Sequence, residues 1–188
     1  GQLYYYEATA SNKVGRSAPS ATIAASAGLP GAWSSSDVGA ITVPGFVEYN
    51  GDAFSMEGEG HEIGGTADAF HYLYARMEGD GVSTARVRRP MSSQWTTPGV
   101  MMRESLLADS RHASVLLHPH WSGGLISRKE KGGETVTGRL EPLGEQYVIK
   151  KNRLSAPYWI RLERIGDTFT GSMSPDGSRW QGLGSVRV

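Results

Sequence analysis

The feature that most constrains this chain is the spacing of its turn signals. Asn50-Gly51 stands between "FVEY" and "DAFSM", Gly132-Gly133 between "LISRKEK" and "ETVTGRL", and Gly166-Asp167 between "WIRLERI" and "TFTGSM". Pro175-Asp176-Gly177 closes the last of these runs. Each is a hairpin or tight-turn signature, and the runs between them alternate with period two, sending successive side chains to opposite faces of an extended strand. Such a chain is expected to be all-β, an antiparallel sandwich or barrel. In "PYWIRLER" (157–164) the alternation puts Ile160 and Leu162 on one face and Trp159, Arg161 and Glu163 on the other. The aliphatic face belongs in a core; the other needs a purpose.

One segment competes with this reading. "VMMRESLLADSRHASVLL" (100–117) is rich in Met, Leu, Arg and Glu, which favour helix, and no proline interrupts it. Against that, Ala113, Val115 and Leu117 alternate in "HASVLLHP", and "LADS" has turn composition. Two strands joined by a turn are therefore expected.

Composition removes several classes of function. Nineteen basic and nineteen acidic residues balance to a net charge of zero, so a broad basic surface of the kind that holds nucleic acid is not expected. No apolar run approaches the roughly 20 residues of a spanning helix, which argues against a membrane. The chain has no cysteine, hence no disulfide and no thiolate zinc site. No signal-peptide pattern opens it, so an export signal is expected upstream.

The first 28 residues differ in character. "YYYEATASNKVG" resembles the penultimate strand and turn of a fibronectin type III domain, and residues 1–28 read as the last hairpin of such a domain with its linker. A lone hairpin is marginal in water. Residues 29–188 resemble a concanavalin-like, or laminin-G-like, jelly-roll module of unknown-function type found in secreted bacterial polysaccharide-degrading enzymes. The matching stretches are "WSSSDVGAI" (33–41), "GTADAFHYLYARMEGDG" (65–81), "PGVMMRESLLADSRHASVLL" (98–117), "APYWIRLERIGDTFTGSMSPDGSRW" (156–180) and "LGSV" (183–186). Where such modules often carry Asp-Ile-Trp, this chain has Glu62-Ile63-Gly64. The resemblance implies an antiparallel β-sandwich with a concave face, secretion or display at the cell surface, and a catalytic domain in the same parent chain.

A sugar presents C–H faces and hydroxyl rims, so its site needs flat aromatics beside fixed polar groups. Trp159 and Arg161 supply both on one strand face, and Arg103 and Arg128 would line one groove with them if their strands are neighbours. Three guanidinium groups there would favour an acidic polysaccharide. The competing reading is a cross-strand charge lattice with Glu104, Glu130 and Glu163. Trp95 and Trp121 lie in loop-like "MSSQWTTPG" and "HPHWSGG" and are stacking candidates. Trp33 and Trp180 are expected to be core pegs, and His118 joins the binding set as a polar loop histidine near His112 and His120. No metal ligand set is assigned. Asp37, Asp52, Asp68 and Asp80 could supply oxygen donors to a structural calcium.

The expected function is a non-catalytic carbohydrate-binding module, accessory to a secreted bacterial glycoside hydrolase and binding polysaccharide on a concave face or loop rim. Catalysis by this chain is not expected: the paired carboxylates of a glycosidase have their nearest counterpart in Glu57, Glu59 and Glu62, which the glycines of "MEGEGHE" assign to a loop or bulge. The alternatives are a lyase using Arg103, His118 and Tyr72 or Tyr147, a hydrolase, or a structural or adhesion spacer.

Overall fold

A computed structural model describes residues 3–7, 9, 13–26, 29–88, 96–118, 122–137 and 157–188. They form strands and turns, with no helix among them. The chain folds as two compact units, residues 1–63 with 68–76, and residues 64–67 with 77–188. The hairpin at the N-terminus therefore groups with residues 29–63, whereas a boundary at 28–29 falls beside residues outside the described set.

The first unit holds three antiparallel pairs. Strand β1 (Leu3–Tyr6) pairs with β2 (Ile23–Ser26), β3 (Ser34–Val38) with β6 (Phe70–Tyr74), and β4 (Phe46–Tyr49) with β5 (Phe54–Glu57). The β4–β5 turn is the Asn50-Gly51 turn. Asn50 Oδ1 accepts the N–H groups of Asp52 and Ala53 at 3.1 and 2.9 Å, while Gly51 takes a φ of 93° that other residues avoid. Between β3 and β6, Asp37 pairs with His71 in register, and His71 Nδ1 lies 2.6 Å from Asp37 Oδ1. Gly45 and Gly58 pack closely on His71: a Cβ on Gly45 would meet its ring at 2.4 Å, and one on Gly58 would meet its Cβ at 2.5 Å.

The second unit contains two four-stranded antiparallel sheets. One runs β11 (Val136–Thr137), β10 (Ser122–Arg128), β9 (His112–His118), β8 (Gly99–Arg103); the other runs β14 (Gln181–Arg187), β13 (Thr168–Ser174), β12 (Tyr158–Ile165), β7 (Gly81–Val87). The split of residues 100–117 into β8 and β9 follows the apolar alternation of Ala113, Val115 and Leu117 rather than the helix propensity of "MMRESLL". Helix preference is worth tenths of a kcal/mol per residue, while burying a Val or Leu side chain stabilises by about 1.5–3 kcal/mol.

Those inward positions make the core. Val100, Ala113, Val115, Leu117 and Leu125 come from the first sheet and meet Ile160, Leu162, Phe169, Met173 and Leu183 from the second. Gly171 lets the sheets approach, because a Cβ there would lie 2.9 Å from Val115 Cγ2. The arrangement is sandwich-like, and each sheet turns its other face away from this core.

Candidate functional site

On β12 the buried residues are Ile160 and Leu162, and the half-buried Trp159, Arg161 and Glu163 point the opposite way. Register extends this outward face across the sheet. Arg86 of β7 and Ser174 of β13 flank Trp159; Thr84 and Ser172 flank Arg161; Val82 and Thr170 flank Glu163. Beyond Ser172 and Thr170 lie Gly182 and Ser185 of β14.

Two cation–ring contacts order the face. The Arg161 guanidinium carbon lies 3.7 Å from the Trp180 ring centroid, and that of Arg86 lies 5.7 Å from the Trp159 ring. Arg161 Nε also reaches Thr84 Oγ1 at 3.4 Å.

The turn from β13 to β14 positions both indoles. Ser174 Oγ accepts the N–H of Gly177 at 2.9 Å, and Asp176 Oδ1 accepts the N–H groups of Ser178 and Arg179 at 2.9 and 2.8 Å. Arg179 Nε adds a contact to Asp176 Oδ2 at 2.8 Å. The Arg179 and Ser178 amides, with their side chains, hold the Asp176 carboxyl far below the usual carboxylate range. Gly177, at φ 77°, lies against Trp159: a Cβ there would approach Cε2 to 2.9 Å. Its carbonyl accepts Trp180 Nε1–H at 3.1 Å. Tyr158, next to Trp159, has its phenol pKa raised by burial and then by the Asp176 charge.

The expected groove of three arginines does not form. Arg103 and Arg128 flank His112 in one row of the first sheet, whereas Arg161 lies on the outward face of the second, so the groups face away from each other across the core. Arg128 has 0% exposure and is closed to a ligand. Its Nε–H donates to the Gly133 carbonyl at 2.9 Å, and its terminal nitrogens donate to the carbonyls of Ala108, Ser110, Gly64 and Gly65, each at 3.1 Å. Arg103 donates to the carbonyls of Ser105 and Leu107, both at 2.6 Å, which shapes the β8–β9 turn. The charge lattice is not formed either. Among the described residues, Glu104, Glu130 and Glu163 make no ion pair with arginine.

Trp159 and Arg161 therefore come together, and Trp180, Arg86 and Thr84 join them. Trp180 is not a core peg: it is half-buried beneath a guanidinium. Trp33 is not one either, being 41% exposed with its ring 5.5 Å from Phe54. Trp95, Trp121, His120 and Tyr147, and the side chain of His118, lie outside the described residues. The signal that could have found Trp180 is the "SPDGSRW" turn itself, since its Ser, Asp and Gly fix where the following indole points.

No three His, Asp or Glu side chains among the described residues converge as a metal-holding group. Asp37 is engaged by His71, and Asp80 Oδ1 accepts the Gly166 N–H at 2.7 Å. No protein-family model, curated protein or solved structure matches the chain.

Proposed function

We propose that this chain is a non-catalytic carbohydrate-binding module that holds a secreted bacterial polysaccharide hydrolase on its substrate. The observation that carries the proposal is the outward face of the β14-β13-β12-β7 sheet. It displays Trp159 and Trp180 beside Arg86 and Arg161, with the hydroxyl groups of Thr84, Ser172, Thr170 and Ser185 between and beyond them. Rings cover C–H faces, and the fixed hydroxyls and guanidinium groups meet a sugar's polar rim. A binding role fits this face better than hydrolysis, because glycosidases need two carboxyl groups about 5–9 Å apart, whereas Glu163 is the one carboxylate on its strand positions and Asp176 of the adjoining turn is engaged by Ser178 and Arg179.

The laminin-G-like fold, export, the fibronectin-type hairpin at residues 1–28 and a catalytic domain in the same parent chain belong to this proposal through the sequence resemblance. Tethering makes even weak binding useful, since linkage renders the catalytic encounter intramolecular.

The test is affinity electrophoresis in gels containing a panel of plant and bacterial polysaccharides. Wild-type protein is retarded by at least one polymer, and Trp159→Ala and Trp180→Ala each lose most of that retardation. Trp95→Ala and Trp121→Ala measure whether the loops share in the site. Retardation unchanged in both Trp159→Ala and Trp180→Ala sinks the assignment to this face, and release of reducing ends or unsaturated products by the isolated chain sinks the non-catalytic reading.

A further inference from the structure

Arg161 is held on two sides. Its guanidinium lies 3.7 Å from the Trp180 ring centroid and its Nε is 3.4 Å from Thr84 Oγ1. Among the described residues its terminal nitrogens have no hydrogen-bond acceptor and no carboxylate pairs with it. Glu163, two residues along the same strand face, is close enough in sequence to have done so and does not.

The imbalance extends over the sheet. Its outward strand positions carry Arg86, Arg161 and Arg187 against Glu163 alone, while the chain as a whole is neutral. Arg179 in the adjoining turn is already neutralised by Asp176. Beside Arg161 the residues become small: Ser172, then Gly182, which has nothing within 4 Å of where its Cβ would stand. The row is therefore open at Gly182.

A stacked arginine keeps its N–H groups in the plane of the guanidinium, pointing sideways as a fork. That geometry matches the two oxygens of a carboxylate, and the bidentate pair is shorter and stronger than a bond to a neutral hydroxyl. We infer that the face selects a polysaccharide bearing carboxylates, a uronic-acid polymer, with the Arg161 fork taking the sugar carboxylate. This inference rests on the binding reading above and adds the ligand's class to it.

The test uses the full chain and four polymers: polygalacturonate, its carboxyl-reduced form, dextran and dextran sulfate. Wild-type protein binds polygalacturonate at least about tenfold more tightly than the carboxyl-reduced polymer, the size expected for one charge-assisted bidentate contact. Arg161→Gln removes that advantage, so that it binds polygalacturonate and the carboxyl-reduced polymer with equal affinity. Arg161→Lys, which keeps the charge and loses the fork, binds polygalacturonate as weakly as Arg161→Gln. Near-UV circular dichroism of each variant identifies any loss of folding, and Arg86→Gln, on the same face with a different ring, serves as the second variant should Arg161 variants misfold.

Equal wild-type affinity for polygalacturonate and its carboxyl-reduced form overturns the carboxylate inference and leaves carbohydrate binding standing. Equal affinity for dextran sulfate and polygalacturonate, or full binding by Arg161→Lys, overturns the fork in favour of non-selective charge. Absence of binding to all four polymers overturns the uronic-acid inference, and absence of retardation across the wider polysaccharide panel overturns the binding reading itself.

Discussion

The guanidinium of Arg161, in the middle of a sheet, lies 3.7 Å from the ring centroid of Trp180, in the turn that leaves the neighbouring strand. The contact joins a strand position to a loop position and holds both side chains where a ligand could meet them. Cation–ring contacts contribute about 0.5–1 kcal/mol when exposed and about 2 kcal/mol when desolvated. A double-mutant cycle of Arg161→Ala and Trp180→Ala, followed by urea denaturation, is expected to give a coupling of about 0.5–2 kcal/mol. Strict additivity would mean that the stack does not persist in solution.

Arg128 is a different kind of arginine, an internal cation tying three loops through the carbonyls of Gly64, Gly65, Ala108, Ser110 and Gly133. Removing it leaves buried carbonyls without donors, at about 1–3 kcal/mol for each that water cannot reach. Arg128→Met is expected to destabilise the protein by at least about 2 kcal/mol, because it strands several buried carbonyls at once. Arg128→Lys should recover only part of this, since three donors on a flexible stem cannot reproduce a planar fork. Denaturation midpoints check both, and a loss below about 1 kcal/mol for Arg128→Met contradicts the tie.

Asp176 gives the turn a dependence on acidity. Its carboxyl is held below the ordinary value of 3.8 by the Arg179 and Ser178 amides. A carboxyl whose folded pKa is depressed stabilises fully above the unfolded value, and the stabilisation drains away as pH falls toward the folded value. Thermal unfolding of wild type and Asp176→Asn should therefore differ most at about pH 7 and draw together as pH falls below about 4. Melting curves that stay parallel over that range would remove Asp176 as the source.

Much of the fold was legible because it follows from local chemistry. Asn50-Gly51, Gly132-Gly133 and Gly166-Asp167 all lie between paired strands. The alternation at Ile160 and Leu162 named the buried face of β12, and Ala113, Val115 and Leu117 outweighed the helix propensity before them. Part of the outward site was legible too, since period two already placed Trp159 with Arg161.

The chain's alternation thus decided by itself which residues of a strand share a face, because the geometry of an extended backbone is the same wherever the strand lies. Tertiary structure alone decided what each face meets. Arg128 and Arg161 occupy equivalent alternating positions, yet one is enclosed by carbonyls as far away in sequence as Gly64 and the other stacks on Trp180 beside Thr84. The physical reason is that burial and partnership come from sheet order and loop placement, which depend on contacts between distant residues that no local pattern encodes.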